Sequence, residues 1–196
     1  MNSLSLSRKN TLPTSIEING KQYACDPDFR VILRIFRLLD DPEIEERHKY
    51  CKIVEWFYPE ESPPIIEGVR AFFDFIRVIE QKHDPDAAEI DYEFDADVIF
   101  ASFWHQYGIN LLETNMHWYV FTALMHGLAE DTALCERLRL RKLDTSHLKG
   151  KAKHSAEIAK QNAQPRKAVS DQERDRQEKL MDALRSGKDP NEFLGR

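Results

Sequence analysis

The sequence predicts a mainly α protein: a compact helical domain with a small N-terminal β-hairpin and a basic, partly disordered C-terminal extension. Three observations predict it. Apolar residues recur at helical spacing behind a series of capping residues between Asp26 and Arg141. An Asn19-Gly20 pair sits between alternating residues near the N-terminus. Between 143 and 169 large apolar residues almost vanish while basic ones accumulate. Residues 1–135 carry 12 Lys and Arg against 24 Asp and Glu, whereas 136–196 carry 16 against 10. The formal net charge of −6 therefore conceals an acidic body joined to a basic tail.

The hairpin comes first, with Ile16 to Tyr23 alternating around Asn19-Gly20, the pair that a type I′ turn favours. Asp26-Pro27 then supplies an N-cap and a first-turn proline for a helix carrying Phe29, Ile32, Leu33, Phe36 and Leu39. Asp41-Pro42 repeats the device for a second helix, whose apolar side includes Ile44, Cys51, Val54 and Phe57 and which stops before Pro59. Pro63-Pro64 opens a third, read as the central core helix, with Ile65, Ile66, Val69, Phe72, Phe73, Ile76 and Ile79 running to about Lys82.

An acidic connection over 84–93 leads to a fourth helix, capped by Asp95, lined by Val98, Ile99, Phe103 and Tyr107, and stopped by Gly108. The fifth spans about 114–126 and ends at Gly127, and Asp131 caps a sixth through Leu134 and Leu138 into Arg139 and Arg141. These elements make up a domain over 12–141. The stretch 143–169 has too little apolar surface to offset the entropy of ordering and reads as a mobile linker or a helix that needs a partner. Ser170 to Glu173 forms a capping box for a terminal helix over 171–186, with Leu180, Met181 and Leu184 as its thin apolar stripe. The second unit is thus a basic tail over 142–196.

Chemistry-bearing patterns are sparse. Asp84, Asp86, Glu89, Asp91, Glu93, Asp95 and Asp97 cluster, yet a calcium loop begun at Asp91 meets Ala96 where glycine is needed and Ser102 where glutamate is needed. A solvated acidic loop with a helix cap explains them. His105, His117 and His126 have no metal-binding spacing and read as packing or hydrogen-bonding residues. There is no G-x-S-x-G, phosphate loop or dinucleotide fingerprint, so the sequence argues against an enzyme and implies no cofactor or metal. Cys25, Cys51 and Cys135 are odd in number and widely spaced, which argues against a disulfide framework or a zinc knuckle and fits a reducing cytosol.

The N-terminus lacks a signal-peptide apolar stretch, and the longest apolar run, 118–125, is too short to span a bilayer. Basic residues over 137–167 invite a nucleic-acid reading, but the absence of aromatic residues among them disfavours it and favours a solvated or partner-directed tail. Trp104, Trp118 and Tyr119 are the candidate protein-binding residues, because indole and phenol rings favour half-buried interface positions.

Several short motifs then occur in a recognisable order. Leu12-Pro13 precedes the hairpin, Asp28-Phe29-Arg30 opens a helix, and Tyr92-Glu93-Phe94-Asp95-Ala96-Asp97 precedes another. Phe103, Tyr107-Gly108-Ile109-Asn110-Leu111, His117-Trp118, Phe121, Leu124 and Gly127-Leu128 follow. Over about 12–141 the chain resembles the bacteriophage gene-product-fifteen family of siphophages and prophages of Gram-positive bacteria. The resemblance implies a tail-assembly chaperone in the host cytoplasm, holding the tape-measure protein while tail-tube subunits polymerise and absent from the mature virion. The tail-tube protein and further copies of the chain itself are secondary expected partners. A structural tail or connector component retained in the virion is the alternative, and a nucleic-acid accessory protein a more distant one.

Overall fold

The structure is a computed structural model and describes residues 12–77 and 90–165. The expected terminal helix over 171–186 and most of the acidic connection lie outside the described residues, as does the last turn expected of the third helix. Within them the chain folds as a two-stranded antiparallel hairpin followed by seven helices.

Strand β1 (Ser15–Ile18) pairs with β2 (Lys21–Ala24), placing Ile16 opposite Tyr23 and Ile18 opposite Lys21. Asn19 and Gly20 have φ of 54° and 79°, as the type I′ turn demands, so this expectation holds. A lone hairpin is marginal in water. This one buries Ile18 and Tyr23 against the helices, and the Asp26 amide just beyond it donates to the Phe57 carbonyl at 2.8 Å.

Helix α1 (Phe29–Asp40) starts two residues later than the Asp26-Pro27 signal suggests, and Asp28 is the N-cap, accepting from the Arg30 amide. The reason is tertiary. Asp26 spends its carboxylate on the Asp28 amide, while residues 27–29 pair with 116–118: Trp118 N donates to Pro27 O at 2.7 Å and Phe29 N to Met116 O at 3.0 Å. Long-range backbone pairing here wins over an early helix start. The same pairing delays α5, which begins at Trp118 rather than near Thr114.

Helix α2 (Glu46–Phe57) also begins late, because Asp41 caps a turn through the Glu43 amide instead of a helix. It buries Ile53, Val54 and Phe57, whereas Cys51, expected on the apolar side, is exposed. Buried Lys49 reaches back to the Leu39 carbonyl at 2.8 Å, satisfying an open acceptor at the end of α1.

Helix α3 (Ile65–Arg77) packs on α2 through Val69, Phe72, Phe75 and Ile76. Ile65 and Ile66, expected in its apolar face, are 42% and 58% exposed. Gly68 makes that contact close: a Cβ there would lie 2.7 Å from Pro63 Cγ and 3.2 Å from Val54 Cγ2. Gly68→Val should therefore destabilise the fold by about 1–3 kcal/mol through overpacking, read as a lower midpoint in chemical denaturation. An unchanged midpoint would mean that α2 and α3 separate without cost.

The remaining helices are α4 (Ala96–Tyr107), α5 (Trp118–His126), α6 (Ala133–Arg141) and α7 (Gly150–Ala163). The core is aromatic and centres on α5 as much as on α3. Phe121 stacks on Phe29 at 4.5 Å and on Phe103 at 5.4 Å between centroids, and Tyr119 stacks on Phe75 at 4.9 Å.

Of the two alternatives expected for 143–169, the described part takes the helix and not the mobile linker: residues 150–163 are helical and pack on α6. Hydrogen bonds, more than apolar area, hold it there. Arg141 Nε donates to Ala163 O at 2.7 Å, Lys160 Nζ to Leu143 O at 2.9 Å, and Gln164 Nε2 to Arg141 O at 3.4 Å. This is the helix that needs a partner, and α6 is the partner.

Candidate protein-binding surface

Helix α4 is fixed at both ends and along one face, which leaves its opposite face presented outward. At its N-terminus Asp95 occupies the cap position without a side-chain cap bond, contrary to the sequence reading. Its fully buried carboxylate instead accepts from Arg141, with Nη1 to Oδ2 at 2.9 Å and Nη2 to Oδ1 at 2.6 Å. Arg137 grips Asp97 through both oxygens, at 2.8 and 3.0 Å, and donates to the Phe94 carbonyl. The guanidinium beside Asp97 holds that carboxyl below its ordinary range. Both arginines lie over the Phe94 ring.

At the other end Gly108 takes φ of 67° and donates to the Trp104 carbonyl, the left-handed stop that the sequence predicts. Gln106 bridges Gly127 O and Ala129 N, and Tyr107 Oη donates to Leu124 O. Midway, Ser102 Oγ accepts from the Leu134 amide and so satisfies the start of α6, work expected of Asp131.

With Asp95, Ile99, Ser102 and Phe103 inward, a turn of about 100° per residue puts Asp97, Ala101 and Trp104 outward, with half-buried Phe100 at the margin. Trp104 is 55% exposed and stacks on Phe100 with centroids 6.3 Å apart. The other two candidate aromatics are elsewhere. Trp118 and Tyr119 are core residues, 4% and 0% exposed; Tyr119 Oη donates to Phe75 O at 3.0 Å. Trp118 Nε1 is buried without a hydrogen-bond partner, so the polar end that suggested an interface is simply enclosed. The structure therefore does not bring the three together. It sets half-buried Phe100 beside Trp104, and the available signal was its position four residues before Trp104.

Among the described residues no three His, Cys, Asp or Glu side chains converge in a way that could hold a metal. Burial pushes the Cys25 thiol up to about 12, far from a reactive thiolate. His117 is a structural residue: its Nδ1 accepts from Tyr119 N and caps α5, so Nε2 carries the proton and donates to Pro13 O at 3.0 Å.

Burial, partly opposed by that Pro13 bond, lowers the His117 pKa from 6.5. Above 6.5 both folded and unfolded chains hold it neutral, and its contribution is complete. As pH falls below that value the unfolded chain takes up a proton that the folded one resists, so stability declines until the folded pKa is reached. His117→Asn, which keeps a capping oxygen, should flatten this acid slope in denaturation midpoints. A slope unchanged by the substitution would place the titration elsewhere.

The family described as Bacteriophage Gp15 protein matches residues 9–165. The chain belongs to the bacteriophage Gp15 family. It is thus a phage protein of a structural or morphogenetic family, and the match runs through α7, beyond the 12–141 stretch that carries the sequence resemblance. Among curated proteins and among solved structures, nothing matches it. Among the described residues of this Gp15-family protein, no helix is long and apolar enough to cross a membrane.

Proposed function

We propose that this Gp15-family protein is a tail-assembly chaperone of siphophages or prophages of Gram-positive hosts. In this reading it holds the tape-measure protein in the host cytoplasm while tail-tube subunits close around it. It has no catalytic turnover and does not remain in the finished virion. The observation that carries the reading is the exposed Trp104, stacked on half-buried Phe100 on a helix clamped at both ends, in a chain of this family. A tape-measure protein is long and helical with apolar stretches that need cover before assembly, and a rigid helix face with an amphipathic aromatic suits an apolar helix. Trp118 and Tyr119 are enclosed in the core and are not exposed on that surface.

Co-expression should keep the tape-measure protein soluble and co-purify the two. Trp104→Ala should weaken capture by more than about 1 kcal/mol, as removal of an aromatic anchor does, while leaving the thermal midpoint unchanged because the ring is exposed. Capture indifferent to Trp104→Ala would move the binding surface off α4. Failure of the unaltered protein to co-purify would sink the chaperone reading itself.

A further inference from the structure

Helix α7 is attached to the body by far less than the other helices are. Of its 14 residues only Ala163 is buried. Ala156, Ala159 and Lys160 are half-buried, at the spacing that puts them on one helix face with Ala163, while Ile158 is 44% exposed. Three alanines remove little apolar area from water. The bonds to the body come from the last turn: Lys160 donates to Leu143 O, Ala163 O accepts from Arg141, and Gln164 donates to Arg141 O. The first turn is unfavourable in itself. Lys149 stands at the cap position with no side-chain cap bond and no acidic residue follows it in the first turn, while Lys151 and Lys153 put positive charge at the positive end of the helix dipole. The ion pair between Lys153 and Glu157, at 3.8 Å, is about half exposed and runs in the weaker order, cation first.

We propose that α7 is a hinged strap, which lifts from α6 as a single unit and loses its helix as it leaves, while the hairpin and α1–α6 stay folded. A 14-residue helix with so poor a start is marginal in water by itself, so undocking and unwinding coincide. The hinge is the connection 142–149 together with Gly150, whose φ of 57° lies in the left-handed region that glycine enters freely. A Cβ at Gly150 would meet nothing within 4 Å, so the turn swings in open space. Opening leaves the body's own contacts in place. Arg141 Nη1 and Nη2 keep Asp95, and the stacking of Phe121 on Phe29 and Phe103 involves other elements. The chain thus has a closed form, with α7 seated on α6, and an open form that presents the side of α6 beneath it. Few buried apolar contacts and an exposed backbone are the marks of an element that opens locally.

Hydrogen exchange of the full-length protein, read by mass spectrometry, tests this. Amides of 154–163 should exchange together, at least about a hundredfold faster than those of α4 and α5, because their opening does not require global unfolding. Low urea should barely change the α7 rate, since lifting the strap exposes little surface. Lys160→Ala removes the bond to Leu143 O yet raises intrinsic helix propensity, so any loosening it causes comes from undocking. It should speed α7 exchange roughly tenfold and leave the protection of α4 and α5 unchanged. Protection of 154–163 equal to that of α4 would overturn the proposal. So would exchange graded inward from the helix ends, which is fraying, or α7 exchange untouched by Lys160→Ala. Loss of protection throughout the body in Lys160→Ala would overturn it as well, because α7 would then open only with the whole fold.

Discussion

Arg141→Ala should cost the folded state on the order of 3–5 kcal/mol, the usual penalty for removing one partner of a buried ion pair. Asp95 is completely buried, and without the guanidinium its carboxylate keeps only the Asp91 amide at 3.0 Å and a long contact to Arg137 at 3.5 Å. The same truncation frees the Ala163 carbonyl, so α7 should detach along with the loss of global stability. Urea denaturation reads the first effect and far-UV circular dichroism the second. The paired change Asp95→Leu with Arg141→Met should recover more than half of the loss, because matched apolar groups remove the stranded charge. A single variant as stable as the parent would mean that the pair is solvated.

This pair shows where sequence reasoning stops. Asp95 ahead of Val98 and Ile99 reads as a cap, and the residue does stand at the start of α4, but its carboxylate answers to an arginine 46 positions away. Local rules locate an acidic group at a helix start without saying which donor it meets. Asn19-Gly20 and Gly108 were legible because each device is complete within two or three residues. Asp26-Pro27 misled because the pairing with 116–118 is invisible locally. Helix α7 was legible only as a conditional helix: its small, polar composition gives no reason to order until Arg141 and Leu143 offer bonds to Ala163 and Lys160.

Which of the three candidate aromatics is exposed was not legible for a related reason. Trp104, Trp118 and Tyr119 have the same amphipathic chemistry, and only helix environment separates them. The stretch 118–126 is apolar nearly all round, the pattern of an enclosed helix, whereas α4 carries Asp97, Ala101 and His105 on the side of Trp104. Weighing the whole helix rather than the single ring distinguishes the exposed tryptophan from the enclosed one.

Adjacent positions on α4 make the second large expectation. Phe103→Ala should destabilise by about 3–5 kcal/mol, since a fully buried ring is replaced by a cavity. Phe103 is 0% exposed, stacks on Phe121 and meets Tyr107 edge-on at 5.6 Å, so neighbours from two helices lose contact at once. Phe72→Ala, equally buried against Phe57 at 5.0 Å, should fall in the same range. The comparison with Trp104→Ala one residue along separates stability from binding within a single helical turn. A Phe103→Ala protein that melts with the parent would show that the α4–α5 seam is not closed.

The chaperone claim is tested most directly by where the protein is found during phage growth. Quantitative mass spectrometry should compare tape-measure complexes isolated before tail completion with purified mature virions. The chain should be abundant in the early complexes and depleted to background in the virions. Its presence in virions at a fixed ratio to the tail-tube protein would contradict the chaperone role and make it a structural tail or connector component.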